Sequence, residues 1–496
     1  MTAIVLTTLN ARYTHASMGL RCLRANLGEL RQSCVIDEFI IGQQTNEIVE
    51  KLLVHQPNII GFGVYIWNVD EITKIVALLK RVAPEVTIIL GGPEVSFEID
   101  EQRICQLADY VITGWGDVTF RKVAEAVLHG PKPLMKVHAG EQPPLSELAM
   151  PYGEYTDEDI AHRTLYVEAS RGCPFKCEFC LSALDKTAWP FETEAFLAQM
   201  DTLYKRGARQ FKFVDRTFNL NAKVSHKILQ FFLDRWTEAD PAYAHFELVP
   251  DHLPDSLKGL ISQFPAGALQ FEIGIQTFNT DVQALVSRKQ NNDKAAENLR
   301  WLHTQSRAHM HVDLIAGLPG ETMQSFGAGF DRLVGLGPHE IQFGILKRLR
   351  GTPIIRHTAP YRMTFSPDAP YEIVANQDLS FNDMQRMSRF ARYWDLVANS
   401  GRFANTLPLL LGTRPEDSAF NNFMAFADWL YATTGKTHQF ALERLFEFVR
   451  NYLVLTMDVD TVDEALAIDK ERSQIKTRSA KLQRQQRHQK PEAIKL

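Results

Sequence analysis

Cysteine is scarce in this chain, with six in 496 residues, too few for a scaffold stapled by disulfides. An excess of either charge is missing too. Lys plus Arg number 54 against 59 Asp plus Glu, a formal net charge of -5, and so small a balance at this length argues against a globally basic binder of nucleic acid or of membrane surfaces. No run approaches the ~20 apolar residues that span a bilayer. Residues 1–9 are apolar but lack the basic lead-in and small-residue cleavage site of a secretory signal. The expectation is a cytoplasmic protein with no membrane partner. Core material is plentiful: 45% of residues are hydrophobic and 10% aromatic. At ~150 residues per domain the length implies about three domains.

The first stretch, 1–130, alternates short β-branched runs with amphipathic segments, the pattern of parallel strands with crossover helices. Strands are expected at 3–8, 35–40, 59–64, 86–90 and 110–113, with helices between them. Five such units make one doubly wound, flavodoxin-like sheet. Residues 131–158 are Pro-rich and lose periodicity, reading as a linker. A second βα series follows over 159–355, with strands expected at 164–169, 210–214, 245–248, 268–273, 309–315 and 340–346. Six units suggest a barrel or part of one. The fold class is therefore α/β, with an α-rich region at 356–469. The last segment, 470–496, holds nine Lys or Arg and is expected to be a disordered or frayed basic tail.

Three of the six cysteines crowd together. Cys173, Cys177 and Cys180 lie at C-x3-C-x2-C within Arg171-Gly172-Cys173-Pro174-Phe175-Lys176-Cys177-Glu178-Phe179-Cys180, just after the first strand of the second series. A four-iron cluster normally takes four thiolates, so three leave one iron open to another ligand. A structural zinc would need a fourth protein ligand, and His162 and His245 fall outside compact zinc spacing.

The loop CPFKCEFC, with an aromatic before the last cysteine, resembles the signature of the radical S-adenosylmethionine (SAM) superfamily. The resemblance implies a four-iron four-sulfur cluster on Cys173, Cys177 and Cys180 that reductively cleaves bound SAM, on a partial βα barrel. It also implies SAM contacts from Phe179, beside the last cysteine, and from Asp215, in Phe-Val-Asp-Arg-Thr, which departs from the family's Gly-Gly-Glu pattern. Glu272, Gly274 and Gln276 alternate onto one strand face, and the inward polar groups Glu272 and Gln276 need a ligand or each other. Asp313 and Gly317 belong to Asp-Leu-Ile-Ala-Gly-Leu-Pro-Gly-Glu-Thr, a further family-like stretch. No catalytic side chain is assigned.

An α/β domain ahead of such a barrel is similar to the cobalamin-binding radical SAM subfamily, over about residues 1–355. The loops after the expected strands supply the contacts that this resemblance implies for cobalamin: Tyr13 and His15, Tyr65 and Trp67, Gly91, Gly92, Pro93 and Glu94, and Gly114 and Gly116. None of them forms a dinucleotide-binding G-x-G-x-x-G. The D-x-H-x-x-G motif that delivers a histidine to cobalt elsewhere is absent, since the loop reads Tyr13-Thr14-His15-Ala16-Ser17-Met18-Gly19, so His15 is expected to contact the corrin or its own loop. The expected cofactors are the cluster, SAM and cobalamin. The expected activity is methylation or rearrangement of an unactivated carbon of a small molecule, with a reducing protein as electron donor. The alternatives are a methylthiotransferase, which would need a second cluster from Cys22, Cys34 and Cys105, and a cobalamin-independent radical SAM enzyme.

Overall fold

The computed structural model describes residues 2–414 and 416–488, with side chains through 473. It divides into two compact units, Met1–Gly274 with Gln283–Met310 and Leu346–Ile373, and Ile275–Val282 with His311–Ile345 and Val374–Leu496.

In the first unit β1 (Ile4–Asn10) is buried along its whole length, as a central parallel strand must be when helices cover both faces. It pairs in parallel with β2 (Cys34–Ile40) on one side and β3 (Ile59–Gly63) on the other, Ile4 standing opposite both Cys34 and Ile59. With β4 (Thr87–Gly91), β5 (Tyr110–Thr113) and β6 (Val137–Ala139) the order is β2-β1-β3-β4-β5-β6. The direction of winding reverses between β1 and β3. Helices α1 (Met18–Ala25) and α5 (Asp117–His129) cover one face, while α2 (Thr45–Val54), α3 (Val69–Val82) and α4 (Arg103–Leu107) cover the other. The two apolar layers reflect this: Leu6, Leu20, Phe120 and Val123 pack on one side, and Val5, Ile48, Leu52, Ile72 and Leu79 on the other. The expected flavodoxin-like sheet is present with one strand more than its five. β6 lies in the segment read as linker, and its three residues, half-buried or exposed, carry no periodic signal.

A short helix α6 (Asp157–His162), closed by a Thr156/Asp159 capping box, precedes the second series. There β7 (Leu165–Val167) leads into a two-stranded ribbon, β8 (Ser170–Arg171) against β9 (Trp189–Pro190), which brackets the cysteine loop. Then β10 (Gln210–Phe213) lies in parallel between β7 and β11 (Tyr243–Leu248), and β11 pairs with β12 (Leu269–Gln276), whose residues through Gly274 belong to this unit. One face of these strands is a packed aromatic layer of Phe211, Phe213, Phe246 and Phe271, capped by Phe232. Three helices, α7 (Thr193–Lys205), α8 (Ala222–Arg235) and α9 (Asp255–Ile261), connect them. Next come α10 (Thr280–Leu285) and α11 (Asn292–Gln305).

In the second unit β13 (His309–Ala316) pairs in parallel with β14 (Glu340–Ile345) from His311 onward, with α12 (Met323–Val334) as their crossover. Helices α13 (Phe381–Trp394), α14 (Leu407–Leu411), α15 (Ala419–Thr434), α16 (Leu442–Leu453) and α17 (Val459–His488) make the expected α-rich region. Its core is aromatic, Phe330 and Phe343 meeting Phe390, Trp394, Phe420 and Phe423. The segment expected to be a basic tail enters α17, and residues 489–496 lie outside the described residues.

Candidate functional site

The cysteine loop is held from both ends. Gly172 adopts φ +91°, and a Cβ there would stand 2.5 Å from the Thr187 hydroxyl, so only glycine fits. The Cys173 amide donates to the Asp185 carbonyl at 2.8 Å, and the Trp115 indole donates to the Asp185 carboxylate at 2.7 Å. At the far end Glu178 is 3% exposed. Its carboxylate accepts from Ser287 at 2.5 Å, from His357 at 2.9 Å and from Arg356, and its backbone pairs with Val286 and Ile354.

Between these anchors Cys173 and Cys177 are buried and Cys180 half-buried. Burial pushes the Cys173 thiol up, with Cys180 and Cys177 adding repulsion, while the Phe175 amide and Arg216 pull it back. Burial likewise raises Cys177, against which Arg288 donates to its sulfur at 3.6 Å. Three thiols faced by two guanidiniums suit a donor set that ionises when iron binds. Among the described residues no three His, Cys, Asp or Glu side chains close on a point as around a single ion. Cys22, Cys34 and Cys105 are each buried, and burial raises all three thiols, Cys34 to about 12 and Cys105 to about 11.

The inward face of the first-unit strands carries a polar row. Lys212 on β10 and His245 on β11 lie 3.4 Å and 3.1 Å from the Glu272 carboxylate on β12, and Glu247 on β11 pairs with Arg216 at 2.5 Å. Asp215 is buried at the end of β10. Its carboxylate accepts from the Ala169 amide at 2.9 Å and from the Ser170 hydroxyl, and burial raises it to about 7. Phe179 is half-buried.

The other expected SAM contacts fall in the second unit. Gln276 adopts φ +69°, rare for a residue with a side chain, and its Oε1 is buried with no hydrogen-bond partner. Asp313 lies 3.8 Å from His311. Gly317, at φ +90°, accepts at its carbonyl from Asn376 at 3.3 Å. Nearby Glu321 is 1% exposed, accepts from the Thr277 hydroxyl at 2.7 Å, and is pushed up to about 7 by burial, its other oxygen having no partner.

A cavity of about 430 Å³ opens at the carboxyl ends of β3, β4 and β5, beneath α1 and α5. Doubly wound sheets hold ligands at this edge, where winding reverses. Glycines make room for it: Gly61 and Gly63 from β3, Gly91 at the end of β4 and Gly92 after it, Gly114 and Gly116 after β5. At Gly92, φ +110°, a Cβ would meet the Val64 carbonyl at 2.4 Å. Tyr65 and Trp115 also line the cavity, and its rim reaches Glu168, Arg171 and Val214 of the second series. There Arg171 bonds Asp117 at 2.9 Å and pairs with Glu168.

Of the residues expected to touch cobalamin, the structure gathers Tyr65, Gly91, Gly92, Gly114 and Gly116 around this cavity. It places the rest elsewhere. Tyr13 bonds Glu158 at 3.0 Å under the Arg163 guanidinium. His15 lies 2.5 Å from the Tyr166 hydroxyl on β7, its backbone bridged to Thr164. Trp67 stacks on Tyr65 and donates to the Leu9 carbonyl. Glu94, next to Pro93, is buried against Arg350 and Tyr371, each at 2.8 Å. Lys212, Glu247 and Arg288 escaped the sequence reading, and His245 entered it only as a candidate zinc ligand, although the alternation that exposes Glu272 also runs through β10 and β11.

Comparison with known proteins agrees with this arrangement. Residues 4–124 match the B12 binding domain model, residues 167–333 the radical SAM superfamily model, and residues 359–495 a model described as a protein of unknown function (DUF4080). The chain therefore carries a B12 binding domain followed by a radical SAM superfamily domain, and the cofactors these domains call for are cobalamin, a four-iron four-sulfur cluster and SAM. Among curated proteins it is similar to the uncharacterized methyltransferase PH0819 of Pyrococcus horikoshii, 26% identical over 45% of this chain and 55% of that one. It is also similar to the cobalamin-dependent radical SAM methyltransferase TokK of Streptomyces tokunonensis, 24% identical over 58% and 46%. The chain spans about half the length of these relatives. Its fold is that of the radical SAM methyltransferase TsrM from Kitasatospora setae, solved with cobalamin and a [4Fe-4S] cluster, at TM-score 0.60 and 14% identity over 87% of this chain and all of that one.

Proposed function

We propose that this protein is a cobalamin-dependent radical SAM methyltransferase that acts on an unactivated carbon of a small molecule. The observation that carries the reading is continuity within one compact unit. The glycine-lined cavity shares Trp115 with the Asp185 contact that fixes Cys173, and shares Asp117 with Arg171 at the head of the cysteine loop. When bound, the cluster and SAM supply reductive cleavage of a sulfonium, and cobalamin supplies a transferable methyl group.

The chain's own residues do the rest. Cys173, Cys177 and Cys180 hold the cluster, Arg216 favouring the ionised form of Cys173 and Arg288 that of Cys177. Gly172 and Glu178 keep the loop in register. The glycines after β4 and β5 let a broad ligand lie against backbone, and Tyr65 and Trp115 wall it from water. Lys212, His245 and Glu272 form a mixed-charge row able to orient a polar substrate and hold a proton at the His245 ring. A reducing protein as electron donor completes the proposal.

The test is to incubate the anaerobically reconstituted, reduced protein with SAM labelled at its methyl group. Release of both 5'-deoxyadenosine and S-adenosylhomocysteine supports methyl transfer. Deoxyadenosine alone indicates rearrangement, and neither product rejects the proposal.

A further inference from the structure

The α-rich region has a cavity of its own that the cofactor chemistry does not use. Arg386, Arg389 and Arg392 repeat every three residues along α13, so they form one stripe. Like charges at this spacing repel unless something answers them. For Arg386 the answer is Asp428 on α15, at 2.7 Å. One turn on, at the position that would repeat this acid, α15 presents Tyr431, over whose ring the Arg389 guanidinium lies at 4.2 Å. No carboxylate pairs with Arg389 or Arg392 among the described residues, and the Arg389 Nε is buried without a hydrogen-bond partner.

These two arginines line a cavity of about 350 Å³ together with Gln385, Ser388, Tyr431 and His438. Thr437, at 3.0 Å from the His438 ring, completes the wall. The size falls in the range of small-molecule sites. Its donors are two guanidiniums, an imidazole, an amide and three hydroxyls, more than a carboxylate's two oxygens can accept. A tetrahedral dianion with three free oxygens matches them, and guanidinium forks pair with phosphate in bidentate fashion.

We infer that this cavity binds a phosphoryl group, as free phosphate or as the phosphate of a small ester, to the helical region of the enzyme. The site is made wholly by the second unit, and its occupancy does not depend on the cluster or on cobalamin.

Isothermal titration of the full-length protein with inorganic phosphate, with glycerol 3-phosphate and with acetate tests this. Saturable binding of either phosphate compound at one per chain, with acetate at least tenfold weaker, is the expected result. Arg392→Gln, at an exposed position, and Arg389→Gln should each weaken it about tenfold to a hundredfold, the worth of a charged hydrogen-bonded partner. Arg386→Gln, which breaks the pairs with Asp428 and Asp383, should change it less than threefold, and a thermal melt of each variant shows that it is folded. Binding of the ester but not of free phosphate also supports the inference and assigns the source. No saturation by 10-mM-scale phosphate (about the weakest useful affinity), acetate equal to phosphate, or binding unchanged in folded Arg389→Gln and Arg392→Gln would overturn it.

Discussion

Replacing Glu178 by glutamine tests how the cysteine loop is held. The carboxylate is buried and answers His357 at 2.9 Å, Arg356, and the Ser287 hydroxyl at once. Glutamine keeps the shape but turns an NH2 group toward donors and removes the negative charge opposite two basic side chains. Breaking a buried pair from one side costs about 3 to 5 kcal/mol. Part of that is recovered by water reaching Arg356, which is 59% exposed, so about 3 kcal/mol is expected for loop opening, roughly a hundredfold in the ratio of open to closed loop. The assay is the rate at which a chelator removes iron from the anaerobically reconstituted protein. Where opening is fast relative to capture, that rate follows the open population, so it should rise up to about a hundredfold. Arg356→Gln, which alters the exposed member, should raise the rate only severalfold, in keeping with the ~1 kcal/mol of a solvated pair. A Glu178→Gln rate within twofold of the parent protein, or an equal rate for Arg356→Gln, would refute the anchoring role.

Other expectations concern the cavity, the remaining cysteines and pH. At Gly63 a Cβ would make only ordinary contacts, at 3.5 Å from Leu20 and Thr8. Gly63→Ala should therefore retain cobalt, whereas Gly63→Leu should fill the cavity and lose cobalt without losing iron. Replacing Cys22, Cys34 and Cys105 by alanine should leave iron per chain unchanged; a fall to half would favour the methylthiotransferase reading. Glu321 titrates near 7 when folded against an ordinary 4.5, so its stabilising contribution is complete below about pH 4.5 and is lost as pH rises through 7, about 3 kcal/mol in all. Glu321→Gln should narrow the difference in urea midpoint between pH 5 and pH 8, and an unchanged difference would count against a buried, unpaired Glu321.

Much of this was legible in the chain because its signals are local. β-branched runs fully buried on both faces read as parallel strands, and three cysteines within eight residues read as a cluster loop. Glycines after β4 and β5 pointed to the cavity, since a backbone that must stay clear of a ligand can be seen in sequence. Partners distant along the chain could not be seen. Glu94 follows the Gly-Gly-Pro loop, yet its side chain turns to Arg350 and Tyr371, more than 250 positions on. His15, expected to contact the corrin or its own loop, also sets its ring against Tyr166, 151 positions on. Glu178 and Arg288 act on the cysteine loop through contacts over 100 residues apart, which no periodicity encodes.

Whether the two domains hold both metals is decided by cobalt and iron per chain after anaerobic reconstitution with iron, sulfide and hydroxocobalamin and removal of unbound material. About one cobalt and four iron atoms are expected, the cobalt lost in Gly63→Leu and the iron lost when Cys173, Cys177 and Cys180 are replaced. An intact four-iron cluster with no retained cobalt would contradict this expectation, leaving the glycine-lined cavity without the ligand assigned to it.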